Sequence, residues 1–261
     1  MSGLPLVDVH AHLQDESYSA GELDAIIADI QSSSMYAVVN CGSDLVSSQK
    51  AVELSDRHSK LWAMAGFHPH DAKKWTDDSL SQIAKMIEHP KVLGIGEIGL
   101  DYHYDFSPRD EQIDVFSKQW IFAAEKQLPV EVHVRKAYED FWKVTKNLPE
   151  NPKVILHCFS GGIEEARKAV ELGYSISIGG VITFPKSNSV REIIQTIPIE
   201  RIHLETDCPY LAPVPLRGKK NDPTKLRYAF ETLCSLKEMN EAELAEQLKK
   251  NAENFFGKKF S

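Results

Sequence analysis

The sequence has few cysteines, and no two of them are close neighbours. The absence of any C-x-x-C pair excludes the usual spacing of a structural zinc or dithiol redox site. Reduced thiols are therefore expected at the four cysteines, Cys41, Cys158, Cys208 and Cys234. The sequence also lacks a basic stretch followed by a long apolar run near its start, and it lacks any apolar run long enough to cross a bilayer. These absences predict a cytoplasmic protein without membrane association.

An excess of positive charge is missing as well. Lysine and arginine together number 30 against 38 aspartates and glutamates, which gives a formal net charge of −8. This balance argues against a protein that coats nucleic acid through a broad basic surface, because such binding relies on many cation–phosphate contacts. It still allows an enzyme that holds one phosphate through metal ions, since divalent cations reverse the field of an acidic cleft.

No repeat or low-complexity tract divides the chain, and eight strand-like apolar runs alternate with helical patterns along it. The predicted strands are Pro5–His10, Tyr36–Asn40, Leu61–Ala65, Val92–Gly96, Val130–Val134, Val154–Cys158, Tyr174–Ile178 and Ile202–Glu205. The predicted helices are Glu22–Ile30, Leu45–Ser55, Leu80–Glu88, Asp110–Glu125, Ala137–Lys146, Glu164–Leu172, Val190–Thr196, Thr224–Lys237 and Glu241–Phe255.

This alternation predicts a parallel sheet, and eight units in 261 residues favour a closed (β/α)8 TIM-type barrel over an open sheet. The first strand is not followed by a G-x-G-x-x-G turn with an acidic residue after the second strand, which argues against a dinucleotide-binding fold. We therefore expect an α/β protein with one barrel domain spanning residues 1–261.

Histidines and acids fall where the predicted strands end. The first strand ends at His10 and is followed by His12, and the remaining members of the set belong to strands four, five, six and eight: Glu97, His133, His157 and Asp207. The carboxyl ends of all strands of a parallel barrel open on one face, which is where barrel enzymes place their active sites. Alternation along a strand further places His10 and His12 on the same side. The same alternation predicts that Asp8, Glu131, His203 and Glu205 lie on the inward line of their strands, just below these side chains.

The six side chains predict a site for two divalent metal ions. Each one alone has an ordinary explanation: a histidine pair can form a polar rim, single histidines can be structural, and Asp207 can form a turn. Their convergence on one face favours ligands. Five or six nitrogen and oxygen donors exceed the needs of one four-coordinate zinc, so a bridging carboxylate is expected, with Glu97 as the candidate. Two ions about 3.5–4 Å apart stabilise both the attacking and leaving oxygens of a phosphoryl displacement.

The identity of the ions stays open at this point. Mixed histidine and carboxylate ligands suit Zn²⁺ or Mn²⁺, whereas Mg²⁺ prefers oxygen. All three metals remain candidates.

Several blocks of residues resemble the TatD family in order and spacing across nearly the whole chain. These blocks are His10-Ala11-His12-Leu13, Gly66-Phe67-His68-Pro69-His70, Gly96-Glu97-Ile98-Gly99-Leu100-Asp101, His133-Val134-Arg135, His157-Cys158-Phe159-Ser160-Gly161 and Glu205-Thr206-Asp207-Cys208-Pro209-Tyr210-Leu211. The resemblance implies a metal-dependent hydrolase with an amidohydrolase-type barrel. It also implies a deoxyribonuclease that removes nucleotides from 3′ ends, with some members acting on RNA.

The same resemblance implies roles for the individual residues. One ion would lie among His10, His12, Glu97 and Asp207, and the other among Glu97, His133 and His157. Asp207 would also orient or deprotonate the attacking water. His68 resembles the histidine with which the family contacts the substrate phosphate, and the charge of Arg135 suits the same phosphate.

Other polar residues are expected to support this site. Ligand histidines usually donate their second ring nitrogen to a carboxylate or carbonyl, and Asp8 and Glu205 are predicted to accept such bonds. Glu131 and His203 are expected to be buried polar groups with local hydrogen-bond partners. Among the aromatic residues near the mouth, which include Tyr104, the two singled out for stacking on a terminal base are Tyr102 and Phe159.

Three functions follow from this reading. The leading one is a 3′-5′ exodeoxyribonuclease acting on single-stranded DNA, or on RNA, by a two-metal mechanism. The second keeps the metals but changes the bond, giving an esterase or amidase such as an aminoacyl-tRNA deacylase or a lactonase. The third is a metal-dependent binding protein without turnover.

Overall fold

The computed structural model describes residues 3–150 and 153–260. Within these residues, eight parallel strands follow one another around a sheet in chain order. The strands are β1 Val7–Ala11, β2 Ala37–Cys41, β3 Leu61–Ala65, β4 Val92–Asp101, β5 Val130–Arg135, β6 Val154–His157, β7 Ser175–Ile178 and β8 Ile202–Leu204. The predicted (β/α)8 TIM-type barrel is confirmed.

Helices connect the strands and cover the outside of the barrel. They are α1 Ala20–Ser32, α2 Leu45–Arg57, α3 Ser79–Met86, α4 Arg109–Lys126, α5 Tyr138–Thr145, α6 Ile163–Glu171, α7 Asn188–Thr196, α8 Leu226–Lys237 and α9 Glu241–Phe256. Short 3-10 helices at Pro69–Lys74, Gly180–Thr183, Ile199–Arg201 and Pro223–Lys225 were not predicted, because single turns carry no apolar period. Along the described chain, no helix combines the length and apolar character needed to cross a membrane.

Two apolar layers hold the barrel together. Alternate strand residues face the helices and form the larger cluster, exemplified by Val38 and Leu156. The opposite residues, such as Val39 and Trp62, fill the barrel interior and pack on aromatic side chains from the end of the chain, among them Phe255. The amino-terminal end of the barrel is thus plugged by apolar packing, and polar groups are left for the other end.

Strand β4 is longer than predicted and carries Glu97 in its middle instead of at its end. Its pairing with β5 shifts register between Ile95 and Ile98 and then continues to Asp101. Gly99 permits this continuation, because a Cβ at that position would lie 1.9 Å from the carbonyl oxygen of His133 and its φ is +145°. The close approach pairs Gly99 directly with His133, and the Glu97 carboxylate reaches the His133 ring at 3.0 Å.

Strand β1 also departs from simple alternation. Its register against β2 shifts between Asp8 and Ala11. Asp8 pairs with Val38, a residue of the helix-facing layer, so Asp8 does not share the inward line of His10 as predicted. A bulge of this kind reverses the side to which later residues point, which is why parity alone misplaces Asp8.

Candidate metal centre

Glu97 lies at the centre of the predicted ligand set, and its two oxygens face different groups. Oε1 lies 3.0 Å from Nδ1 of His133, 3.1 Å from Nε2 of His157 and 3.3 Å from Nε2 of His68. The Glu97 side chain is almost completely buried. One oxygen of this carboxylate is therefore surrounded by ring nitrogens from β5, β6 and the loop after β3.

The other oxygen, Oε2, faces the histidines of β1 and the loop that follows. It lies 3.4 Å from Nε2 of His10 and 3.6 Å from Nε2 of His12. Oδ1 of Asp207 lies 3.5 Å from the same His12 nitrogen. Glu97 thus separates two groups of donors, as a bridging carboxylate between two ions would.

The ring nitrogens of β1 are turned inward by acceptors behind them. Nδ1 of His10 is 2.8 Å from Oε2 of Glu131, and Nδ1 of His12 is 2.8 Å from the carbonyl oxygen of Cys41. Each acceptor fixes the proton on Nδ1 and leaves the Nε2 lone pair pointing toward Glu97. These are the tautomers that metal ligands require.

The histidines of β5 and β6 are held in the same way. Nε2 of His133 is 3.1 Å from Oδ2 of Asp101, so its Nδ1 lone pair faces Glu97. Nδ1 of His157 is 3.2 Å from Oε2 of Glu205, so its Nε2 lone pair faces inward. Glu205 therefore occupies the position predicted for it behind a ligand ring.

His68 differs from the other four histidines because a donor lies behind it. The backbone N–H of His70 donates to Nδ1 of His68 at 3.1 Å, so the proton of the ring is on Nε2 and points into the site. Burial lowers the pKa of His68 to about 4, although Glu97 opposes this, and the ring is neutral at pH 7. A neutral ring with an inward N–H serves as a hydrogen-bond donor and not as a metal ligand.

The donor set fits metal ions on its own chemistry. Nε2 of His10 and Nε2 of His12 lie 3.0 Å apart, and both turn lone pairs into the same space. Two lone pairs at this distance repel each other unless a cation or a proton lies between them. Donor atoms of His10, His12 and Asp207 also lie within 4.8 Å of one another, which matches the ligands expected for one ion.

The charges at the centre also favour cations. Burial would raise the pKa of Glu97, but the surrounding histidines, His157 and His10 among them, hold it well below its usual range. Burial likewise opposes protonation of His157, yet the carboxylates of Glu205 and Glu97 raise its pKa well above its usual value. A buried carboxylate stays ionised only beside positive charge, and ions would supply that charge in place of protons.

Asp8 and Asp207 lie where β1 adjoins the chain segment that follows β8. The Asp8 carboxylate accepts bonds from the backbone N–H and the hydroxyl of Thr206 at 2.9 and 2.6 Å, and from the backbone N–H of His10 at 3.3 Å. The backbone N–H of Asp207 donates to the carbonyl oxygen of His10 at 3.0 Å. Asp8 thus supports the ligands through the backbone, whereas a bond to a ligand ring was predicted.

The sequence reading missed two of the carboxylates behind the ligands. Glu131 was expected to have only local partners, but its Oε2 meets His10, while its Oε1 has no hydrogen-bond partner among the described residues. His203 also departs from that expectation, since its Nδ1 has no such partner within the described ranges. Asp101 was named only as part of a motif block and was not predicted to support a ligand. Its position inside the Glu97 block at the end of β4 was the available signal.

Arg135 leaves its charge available beside the centre. Among residues 3–150 and 153–260 its guanidinium forms no ion pair, and it lies 4.9 Å from the ring centroid of Tyr104. The two aromatic residues singled out from the sequence are less available. Tyr102 donates its hydroxyl to Asp140 at 2.9 Å and lies under Arg109, and Phe159 is buried.

Comparisons with known proteins identify what the whole chain resembles. Residues 7–257 match the profile of the family described as TatD related DNase. The chain is 38% identical over 252 residues to an uncharacterized metal-dependent hydrolase, YabD, of Bacillus subtilis (strain 168), covering 96% of this chain and 98% of that protein. It is 32% identical over 258 residues to the 3′-5′ ssDNA/RNA exonuclease TatD of Klebsiella pneumoniae (strain 342), covering 97% and 98% of the two chains.

Solved structures share the fold. YJJV, a TatD homolog from Escherichia coli K12, superposes with a TM-score of 0.90 at 28% sequence identity and covers 97% of this chain and 98% of its own. An uncharacterized amidohydrolase from Saccharomyces cerevisiae has the same fold at a TM-score of 0.79 and 17% identity, covering 97% and 99%.

Proposed function

The chain belongs to the TatD family of related DNases and is a metal-dependent hydrolase of ester bonds, and on that premise we propose that it is a 3′-5′ exonuclease on single-stranded DNA or RNA. The proposal includes two divalent ions, Mg²⁺, Mn²⁺ or Zn²⁺, with Glu97 bridging them. A relative of this chain carries the description of a single-strand exonuclease.

The observation that carries the proposal is that four of the five histidines have a hydrogen-bond acceptor behind the ring, whereas the fifth has a donor there. Four of them turn a lone pair toward Glu97 because an acceptor lies at the rear: His10, His12, His133 and His157. The fifth, His68, turns a proton inward because a backbone N–H lies at its rear. A centre with four ligand rings and one neutral donor suits a substrate that presents an anionic oxygen beside the metals.

Each residue then has a defined part in phosphodiester hydrolysis. Bound divalent ions would stabilise negative charge on the attacking and leaving oxygens. Asp207 orients a water molecule and accepts its proton, since its carboxylate lies at the edge of the ligand group beside His12. The Nε2–H of His68 donates to a phosphate oxygen, and Arg135 pairs with the phosphate charge. Burial of Glu97 excludes bulk water from its carboxylate, which would hold both ions.

The acidic balance of the chain favours action at an end of a strand. A net charge of −8 argues against a broad basic surface for a duplex, so the grip is expected to be local. The end of a single strand meets this requirement, because only the terminal nucleotide and one phosphate need to be held at the centre.

The test is nucleotide release from 3′-labelled single strands of DNA and RNA after chelator treatment and reloading with Mg²⁺, Mn²⁺ or Zn²⁺. Asp207→Asn should lose activity by at least about 100-fold while remaining folded, in the range typical of a lost general base. Asp114→Asn removes an exposed carboxylate that pairs with Lys118 and serves as the matched control. Elemental analysis should find two ions per chain.

An ester or amide substrate is the competing outcome. Aminoacyl-tRNA and a lactone are assayed side by side with the oligonucleotides at equal enzyme concentration. Turnover of the carbonyl substrates without release of nucleotides would overturn the proposal, and so would binding of two ions without turnover of any substrate.

A further inference from the structure

Three aromatic side chains stand out as exposed among the residues that the structure describes. Tyr104, Phe106 and Tyr210 are 49%, 54% and 54% exposed, and all three follow the carboxyl ends of strands. Tyr210 is engaged by its hydroxyl, which donates to Asp15 at 3.1 Å. The other two form a pair on the loop between β4 and α4, which we call the aromatic shelf (Tyr104 and Phe106).

The rings of the aromatic shelf stack on each other and leave a flat apolar surface in solvent. Their centroids are 5.1 Å apart with an interplanar angle of 9°. The His70 ring meets both at steep angles, with centroid distances of 5.5 Å to Tyr104 and 4.8 Å to Phe106. Exposed apolar surface of this kind is costly in water and marks a binding site when it is held in one place.

The loop that carries the aromatic shelf is held by hydrogen bonds along its length. Oδ1 of Asp101 accepts the backbone N–H groups of His103 and Tyr104 at 2.7 and 3.1 Å. Arg109 binds both oxygens of Asp105 at 2.9 Å, and Lys73 donates to the carbonyl oxygen of Phe106 at 2.8 Å. The shelf is therefore organised before a ligand binds, which lowers the entropic cost of binding.

The aromatic shelf lies close to the metal centre. Asp101 contacts the shelf loop with Oδ1 and His133 with Oδ2. The guanidinium of Arg135, which forms no ion pair among the described residues, lies 4.9 Å from the ring centroid of Tyr104. An exposed aromatic surface, the cation of Arg135 and the candidate metal centre are thus linked through the contacts of a few side chains.

We propose that the aromatic shelf stacks a base of the single-stranded substrate while Arg135 holds a phosphate of the same chain. The inference rests on the proposed function and assigns a base-binding subsite to it. Phe106, the more exposed ring, is the principal contact. Stacking accepts any base, because every base has a π face, so the subsite confers single-strand preference without sequence preference.

The experiment compares wild type, Phe106→Ala, Phe106→Trp and the control Leu172→Ala on single-stranded oligonucleotides. Leu172 is an exposed apolar residue that follows α6, outside the strand-end loops. Affinity is measured on the metal-loaded protein by fluorescence anisotropy of a 5′-labelled strand with phosphorothioate linkages, which resist cleavage, and KM and kcat are measured with unmodified strands. A second series of strands carries one abasic residue moved stepwise from the 3′ end.

Phe106→Ala should raise Kd and KM about 5- to 150-fold, the range of one lost base stack, with little change in kcat. Phe106→Trp should restore binding, and Leu172→Ala should behave as wild type. One abasic position should weaken wild type by the same factor and have no further effect on Phe106→Ala, because both changes remove the same contact.

The outcomes separate this inference from the proposed function. Equal Kd and KM for wild type and Phe106→Ala, with nucleotides released by both, would overturn the aromatic shelf alone. Loss of affinity in Phe106→Ala without any nucleotide release by wild type would support the shelf and overturn the nuclease. Absence of both binding and release in wild type would overturn the two together.

Discussion

Replacement of Asp101 with asparagine should weaken binding of the ion held by His133. The Asp101 carboxylate is buried and accepts four hydrogen bonds, two from backbone N–H groups of the following loop and two from the imidazoles of His70 and His133. Asparagine has one oxygen and one NH₂ group in the same volume. If the oxygen stays on the backbone N–H groups, the NH₂ group faces Nε2 of both imidazoles.

The NH₂ group then forces His133 to accept at Nε2 and to carry its proton on Nδ1. That proton points at Oε1 of Glu97, which lies 3.0 Å from Nδ1. Nδ1 then has no lone pair left to bind a metal ion. Loss of such a supporting carboxylate lowers metal affinity about 10- to 100-fold, or about 1.4 to 2.8 kcal/mol. We expect the upper part of this range, because the replacement inverts a donor instead of only deleting an acceptor.

The assay is calorimetric titration of the chelator-treated protein with Mn²⁺ or Zn²⁺. At limiting metal, Asp101→Asn should bind one ion with unchanged affinity, through His10 and His12, and the second much more weakly. Asp140→Asn is the matched control, since Asp140 accepts from the hydroxyl of Tyr102 at 2.9 Å on the same side of the barrel. Urea unfolding of each variant shows that the barrel is intact.

Equal affinity of wild type and Asp101→Asn for both ions would refute the tautomer argument. Equal loss at both ions would also refute it, because Asp101 touches only the His133 side. Asp101→Glu gives no clean test, since a longer side chain would disturb the loop amides.

Three further predictions concern charge, pH and backbone space. Glu97→Gln should retain at most one ion per chain by elemental analysis and lose nucleotide release, since a neutral amide cannot bridge two cations. The pKa of His203 is lowered to about 3, mainly because the ring is buried and further because Arg201 is positively charged. The unfolded chain binds this proton below about pH 6.5 and the folded chain does not, so stability falls as pH falls from 6.5 toward 3. The free energy of unfolding, measured with urea, should therefore fall between pH 7 and 4.5 by about 2 to 3 kcal/mol less for His203→Leu than for wild type. Equal decreases would contradict this prediction. Gly99→Ala would place a Cβ 1.9 Å from a carbonyl oxygen and should cost more than about 2 kcal/mol of unfolding free energy, whereas Gly21→Ala, in open space within α1, should gain about 0.4–1 kcal/mol.

The barrel and the family could be predicted from sequence because both depend on patterns that repeat along the chain. Eight apolar runs alternate with helical periods, and the motif blocks follow them in order; both predictions are confirmed. The site residues cluster as expected because the carboxyl ends of parallel strands share one face. His133 and His157, for example, pair directly in the β5–β6 register.

Other features depend on irregularities that leave no periodic signal. The register shift after Asp8 moves that side chain away from the line of His10, and the shift after Ile95 places Glu97 inside a longer strand. A polar residue such as Glu131 has the same sequence appearance whether its partner is local or is a ligand ring 121 residues away. Exposure of aromatic residues depends on loop conformation, which is why Tyr102 was singled out from the sequence and Phe106 was not considered.

The junction between β1 and the chain after β8 has a consequence for the order in which the protein is assembled. The side chains of His10 and His12 lie near the start of the chain, and the Asp207 carboxylate beside His12 is added only after about four fifths of the chain has been made. During synthesis, the contacts of Glu97 with His133 and His157 can form earlier. Asp8 cannot accept its hydrogen bond from the backbone N–H of Thr206 until that residue has been added. In the proposed two-ion centre, the ion beside His12 and Asp207 would therefore be bound only after synthesis has passed the last strand, and a chain truncated before that point would lack the proposed activity.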